Sequence, residues 1–71
     1  MTKEEAVQEY YDNVKNSKFV TWLSSLTSVA MESHGITADV VETCGPECWW
    51  DYYDEGLTPE AALLEDMSCG E

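Results

Sequence analysis

SKFVTWLSSLTSVAMESHG, residues 17–35, decides the fold class of this chain. Phe19, Trp22, Leu23, Leu26, Val29, Ala30 and Ser33 recur at the 3.6-residue helical period and form one narrow stripe, with Thr21, Ser24, Ser25, Ser28 and Glu32 on the other face. Asn16 or Ser17 can cap the start, because a short polar side chain accepts from the first unpaired backbone N–H groups. Gly35 is placed to end the helix, since glycine enters the left-handed conformation without a steric penalty.

Upstream, Thr2 and Glu5 have capping-box spacing, and Ala6, Val7, Tyr10, Tyr11 and Val14 follow at helical intervals, which predicts a helix to about Asn16. Downstream, Thr37 can cap a short helix containing Ala38, Val40, Val41 and Cys44. The β-branched pair Val40 and Val41 also suits a short strand pairing within 36–44, but the rest of the chain offers it no partner, which favours helix. Pro46 opens a further helix to Glu55 with Gly56 at its C-terminal cap, and Thr58 and Pro59 open a last one to about Met67. The expected fold is all-α: one domain, residues 1–71, built as a compact bundle of four to five short helices. Leu63, Leu64 and Met67 are expected to pack on the stripe of the second helix, with the Trp-rich segment beside them.

The chain has 15 Asp and Glu, 3 Lys, no Arg and a net charge of −12 on 71 residues. Such a surface repels phosphates, which excludes direct nucleic-acid binding, and repels anionic membranes for the same reason. No apolar run approaches the roughly 20 residues of a membrane span, and MTKEEAVQEYY has no apolar signal core, so a cytoplasmic location is expected. With 44% hydrophobic and 11% aromatic residues, the chain has enough apolar material to bury a core, and the charge is expected on an ordered surface. Lys3, Lys15 and Lys18 all lie in the first 18 positions. From Phe19 to Glu71 there are eleven acids and no basic residue but His34, so their repulsion opposes folding unless a partner supplies positive charge. Acidity kept for solubility alone is the simpler alternative.

PECWWDYYDEG, residues 46–56, sorts its chemistry by helical angle. Glu47, Asp51, Asp54 and Glu55 fall on an arc of about 100°, whereas Cys48, Trp49, Trp50, Tyr52 and Tyr53 fill about 200° of the remainder. Most of these rings are expected in the core. Trp50 and Tyr53, next to the acidic arc, are the candidates for exposed contact residues. A second acid stripe, Glu5, Glu9 and Asp12, lies on the first helix.

Cys44, Cys48, Cys69 and His34 number enough for a zinc site, but the spacing matches none of the common ligand pairs, so no metal and no cofactor is expected. CGPEC, residues 44–48, has one residue too many for a C-x-x-C redox motif. The cysteines are expected to be reduced and largely buried. His34 falls at the end of the second helix, where an imidazolium favours the dipole. No nucleophile–base–orienter set, calcium loop or phosphate cradle is present, so no catalytic residues and no enzyme activity are expected.

In size, in the stripes Glu5/Glu9/Asp12 and Glu47/Asp51/Asp54/Glu55, and in the Lys-free remainder, the whole chain resembles small acidic phage-encoded inhibitors of bacterial defence, the anti-CRISPR and DNA-mimic proteins. The resemblance implies a phage protein acting in the bacterial cytosol that occupies a cationic nucleic-acid-binding site. Its partner would be a CRISPR surveillance complex or nuclease, denied its target DNA without turnover. The alternative is a small interaction module binding through exposed aromatics.

Overall fold

The computed structural model describes residues 2–37 and 40–69 of the chain. Five helices follow one another: α1 (Lys3–Tyr11), α2 (Lys18–His34), α3 (Val40–Cys44), α4 (Pro46–Asp54) and α5 (Pro59–Cys69). The protein is all-α, and no strand occurs among the described residues. Val40 and Val41 are helical. Ala38 lies outside the described residues, so the expected start of that helix does too.

The starts of α1, α2, α4 and α5 carry the chemistry read from the sequence. Thr2 Oγ1 accepts from the Glu5 amide at 3.3 Å, and Thr58 Oγ1 from the Ala61 amide at 3.2 Å. Ser17 caps α2, accepting from the Val20 amide at 3.4 Å while its hydroxyl donates to Glu9 Oε1 at 2.6 Å. One buried hydroxyl thereby caps one helix and fastens it to another. α4 starts differently: its N-cap is Gly45, which offers no side chain, and Pro46 follows at the position where a missing N–H leaves nothing unpaired.

α1 stops at Tyr11, five residues short of the expected Asn16. The cause is Asn13, which takes φ 56 and does what glycine does elsewhere. Its amide donates to the Tyr10 carbonyl and that of Val14 to the Glu9 carbonyl, each at 3.1 Å, which completes a Schellman closure. Asn is the second choice for that conformation. The same closure ends α4 at Gly56, φ 86, where Gly56 and Leu57 amides return to Tyr53 and Tyr52.

The core draws on every helix: Ala6, then Phe19, Leu23, Leu26 and Ala30, then Val41, Trp49 and Trp50, then Ala62 and Leu63. α2 and α4 each pack against all four other helices, so the two together form the centre of the bundle. Phe19, fully buried, sits inside a ring cluster with centroids 6.4 Å from Trp22, 5.5 Å from Trp50 and 5.2 Å from Tyr53. Trp22 Nε1 donates to the Leu57 carbonyl at 2.9 Å, and Trp49 Nε1 to the Val40 carbonyl at 3.2 Å, so each indole keeps a polar partner as it is covered.

Several expected core residues lie outside it. Leu64 and Met67 are each 48% exposed. At 100° per residue the buried line of α5 runs between Ala62 and Leu63, which leaves Met67 about 90° and Leu64 about 150° away from it. Tyr11 is 62% exposed, and Ser33 is exposed at the end of the α2 stripe.

Ser17→Ala removes the α2 cap and the tie to Glu9 together, and is expected to lower unfolding free energy by about 1–2 kcal/mol in urea titration. Glu9→Gln, which keeps an acceptor for the hydroxyl, is expected to lose less.

Candidate functional site

α4 presents its two chemistries to different surroundings. Glu47, Asp51, Asp54 and Glu55 are all exposed, while Trp49 and Trp50 are buried and Tyr52 and Tyr53 half-buried. Three neighbouring helices provide the reason. α2 receives Trp50 and Tyr53 through the Phe19 cluster, and α3 receives Trp49 through its indole bond. Packing on α1 closes another side, which leaves the acidic arc and Cys48 to solvent.

The expectation that Trp50 would stand exposed as a contact residue is corrected here: its exposure is 8%. Its ring meets Phe19 edge-on, at 84°, and lies 5.6 Å from Tyr53. A 200° aromatic arc exceeds what one neighbouring helix can cover, but not what four can. Tyr53 remains partly accessible.

α1 and α4 both contribute acids to two open grooves. One, of about 510 Å³, is lined by Glu9, Ser17 and Lys18 with Trp50, Tyr53 and Asp54, and so takes an acid from each stripe. The other, of about 380 Å³, is lined by Lys3, Glu4 and Tyr11 with Glu47. Lys3 and Lys18, two of the three cations, therefore each share a groove lining with carboxylates of both helices. Glu5, Asp12, Asp51 and Glu55 line neither groove. Asp12 accepts from Gln8 Nε2 at 3.1 Å, and Glu5 Oε1 from the Thr2 hydroxyl at 3.3 Å, both exposed. Asp51 and Glu55 are exposed on the outer side of α4.

Glu4 belongs to this face and the sequence pattern did not mark it. It lies about 100° from the Glu5/Glu9/Asp12 stripe around α1, and only the docking of α4 makes it line the same groove as Glu47. Glu9 is held by the Ser17 hydroxyl at the start of α2.

The acidic arc also works against its own helix. Asp51 and Asp54 lie in the last turn of α4 and Glu55 is its C-cap, with no basic residue in that turn. The C-terminal end of a helix carries partial negative charge, so these carboxylates raise the free energy of the folded state.

Cys44 and Cys48 are free and exposed, which corrects the expectation that they are buried. The Cys69 side chain lies outside the described atoms. Among the described residues, no group of three or more His, Cys, Asp or Glu side chains is placed to hold a metal ion. His34 is the last residue of α2, and its Nε2 is buried without a hydrogen-bond partner among the described residues. No described helix is long and apolar enough to cross a membrane. No protein-family model, curated protein or solved structure matches this chain.

Trp50→Ala is expected to remove about 3–5 kcal/mol of stability, a large share of the roughly 4–11 kcal/mol a chain of this length has, and to unfold the protein by circular dichroism at room temperature or slightly above. Asp51→Asn, one helical position away on the open side, is expected to leave the melting midpoint unchanged or higher.

Proposed function

We propose that this chain is an acidic protein ligand that imitates the charge of a nucleic acid and occupies a cationic nucleic-acid-binding site on another protein, acting by occlusion and without turnover. The target class we infer is a CRISPR effector, blocked where Lys and Arg read or admit the target duplex.

The observation that carries this reading is the outer side of α4. Glu47, Asp51, Asp54 and Glu55 stand exposed together along about 12 Å of helix axis at 1.5 Å per residue. That is one charge per about 3–4 Å, close to the 3.4 Å spacing along a single DNA strand. Rigidity adds to it. The opposite side of the same helix is locked into the Phe19 cluster, so the carboxylates are held in place before a partner arrives, which limits the ordering entropy lost on binding. Bidentate arginines on a partner would pair with them as with phosphates. Since Asp51, Asp54 and Glu55 oppose the dipole of α4, their presence favours a role outside the fold over a structural one.

The test is competition. Labelled target duplex bound to purified, guide-loaded CRISPR effectors is titrated with the protein at low and at high salt. Displacement at low salt that weakens steeply at high salt is expected. The triple variant Asp51→Asn, Asp54→Asn, Glu55→Gln is expected to lose at least tenfold in affinity. Displacement that is insensitive to salt, or that survives the triple change, overturns the reading. In the same series, Asp54→Asn with Glu55→Gln is expected to raise unfolding free energy by about 0.3–1 kcal/mol while weakening displacement, so that stability and binding move in opposite directions.

A further inference from the structure

The corner between α3 and α4 carries a second chemistry, separate from the acidic face. Cys44 is the last residue of α3 and Cys48 lies in the first turn of α4, with Gly45, Pro46 and Glu47 between them. The Cys48 thiol donates to the Cys44 carbonyl oxygen at 3.0 Å, which sets the Cys48 sulfur against the Cys44 backbone. Both are exposed, so a small reagent reaches them without opening the fold.

The corner that holds them is braced. Gly45 takes φ 86 and ψ 151, and a Cβ added there would stand 2.9 Å from Glu47 Oε2, so the turn is built on a residue without a side chain. The Gly45 amide donates to the Val41 carbonyl at 2.7 Å, and the Trp49 indole to the Val40 carbonyl at 3.2 Å. The first closes the last turn of α3 at the corner, and the second fastens α4 to α3 next to Cys48. With the Cys48 sulfur already against the Cys44 backbone, the two residues are neighbours across the turn, the proximity that an S–S bond requires.

We propose that Cys44 and Cys48 form a reversible dithiol–disulfide site that exchanges with low-molecular-weight disulfides of the glutathione type. Cys48 opens the exchange. Its thiolate, having released a proton to water, attacks one sulfur of oxidised glutathione. The glutathione S–S bond breaks, a mixed disulfide forms on Cys48, and one glutathione thiolate leaves. Cys44 then loses its proton and attacks the Cys48 sulfur, which breaks the mixed disulfide, forms the Cys44–Cys48 bond and releases the second glutathione. The protein pair gives up two electrons and two protons, and one glutathione disulfide becomes two glutathione thiols.

The order follows from the surroundings of Cys44. Burial first, then the neighbouring Cys48 and Asp66, hold its thiol above the ordinary 9.0. At neutral pH Cys44 therefore supplies little thiolate for a first encounter in solution. As the second thiol it attacks a sulfur already beside it, where proximity compensates for a small thiolate fraction.

The experiment uses the full chain carrying Cys69→Ser, which leaves the pair as its only thiols. After incubation with oxidised glutathione and acid quenching, intact mass and peptide mapping are expected to show the loss of two hydrogens, with neither Cys44 nor Cys48 open to alkylation. Adding Cys44→Ser is expected to trap one glutathione on Cys48. Adding Cys48→Ser instead is expected to slow glutathione uptake at least fivefold. An accumulated glutathione adduct on the two-thiol protein, or two thiols that stay alkylatable under oxidising glutathione, overturns the proposal. Unchanged helical circular dichroism in each variant excludes unfolding as the cause of any of these results.

Discussion

Phe19 is the contact on which the rest of this structure depends. A chain of 71 residues buries a smaller share of its surface than a larger domain, so a few bulky side chains must supply most of the apolar contact. Phe19 touches Trp22 on its own helix and Trp50 and Tyr53 on α4, and those four rings join the two helices that each pack against all the others. Edge-on and tilted ring geometries, such as 84° for Phe19 with Trp50 and 74° for Trp22 with Tyr53, place ring edges against ring faces, where aromatic quadrupoles attract. The indole bonds to Leu57 and Val40 then satisfy the polar atoms that burial would otherwise leave unpaired.

From that cluster the charge distribution follows. Once Trp49 and Trp50 are turned inward, the rotation of α4 is no longer free, and its acids have only the solvent side to occupy. The docking of α1 completes the pattern: Glu9 and Asp54 line one groove with Lys18, and Glu4 and Glu47 line another with Lys3. Asp51 and Glu55, which line neither groove, face outward on the helix with no basic residue in its last turn. Asp51, Asp54 and Glu55 set against the dipole of their own helix, on a chain of net charge −12, make the end of α4 a place where charge works against stability.

Much of this was legible in the residues. Ser17, Gly35, Pro46, Thr58 and Gly56 marked their helix boundaries because caps and left-handed residues act locally, within a few positions of the bonds they make. The acid and aromatic arcs of α4 were legible because helical angle is a property of spacing alone. What failed depended on neighbours. Trp50 was read as exposed because its helix was considered against one packing surface, and four helices meet there. Leu64 and Met67 were placed in the core for their hydrophobicity, while the small residue Ala62 set which side of α5 could approach closely. Asn13 ended α1 early through a backbone conformation that few non-glycine residues adopt. The thiols of Cys44 and Cys48 were read as buried on residue type, whereas the turn at Gly45 carries them to the surface.

By itself, then, the sequence determined an all-α chain of four to five helices, most of their caps, the net charge and the division of α4 into an acidic and an aromatic side, since each arises from interactions within a turn or two of chain. Tertiary structure decided which acids share a face, which rings remain accessible and which cysteines lie together at a braced corner. Those outcomes depend on how the helices dock, and docking is set by the packing of side chains distant in sequence around Phe19, whose geometry no local pattern contains.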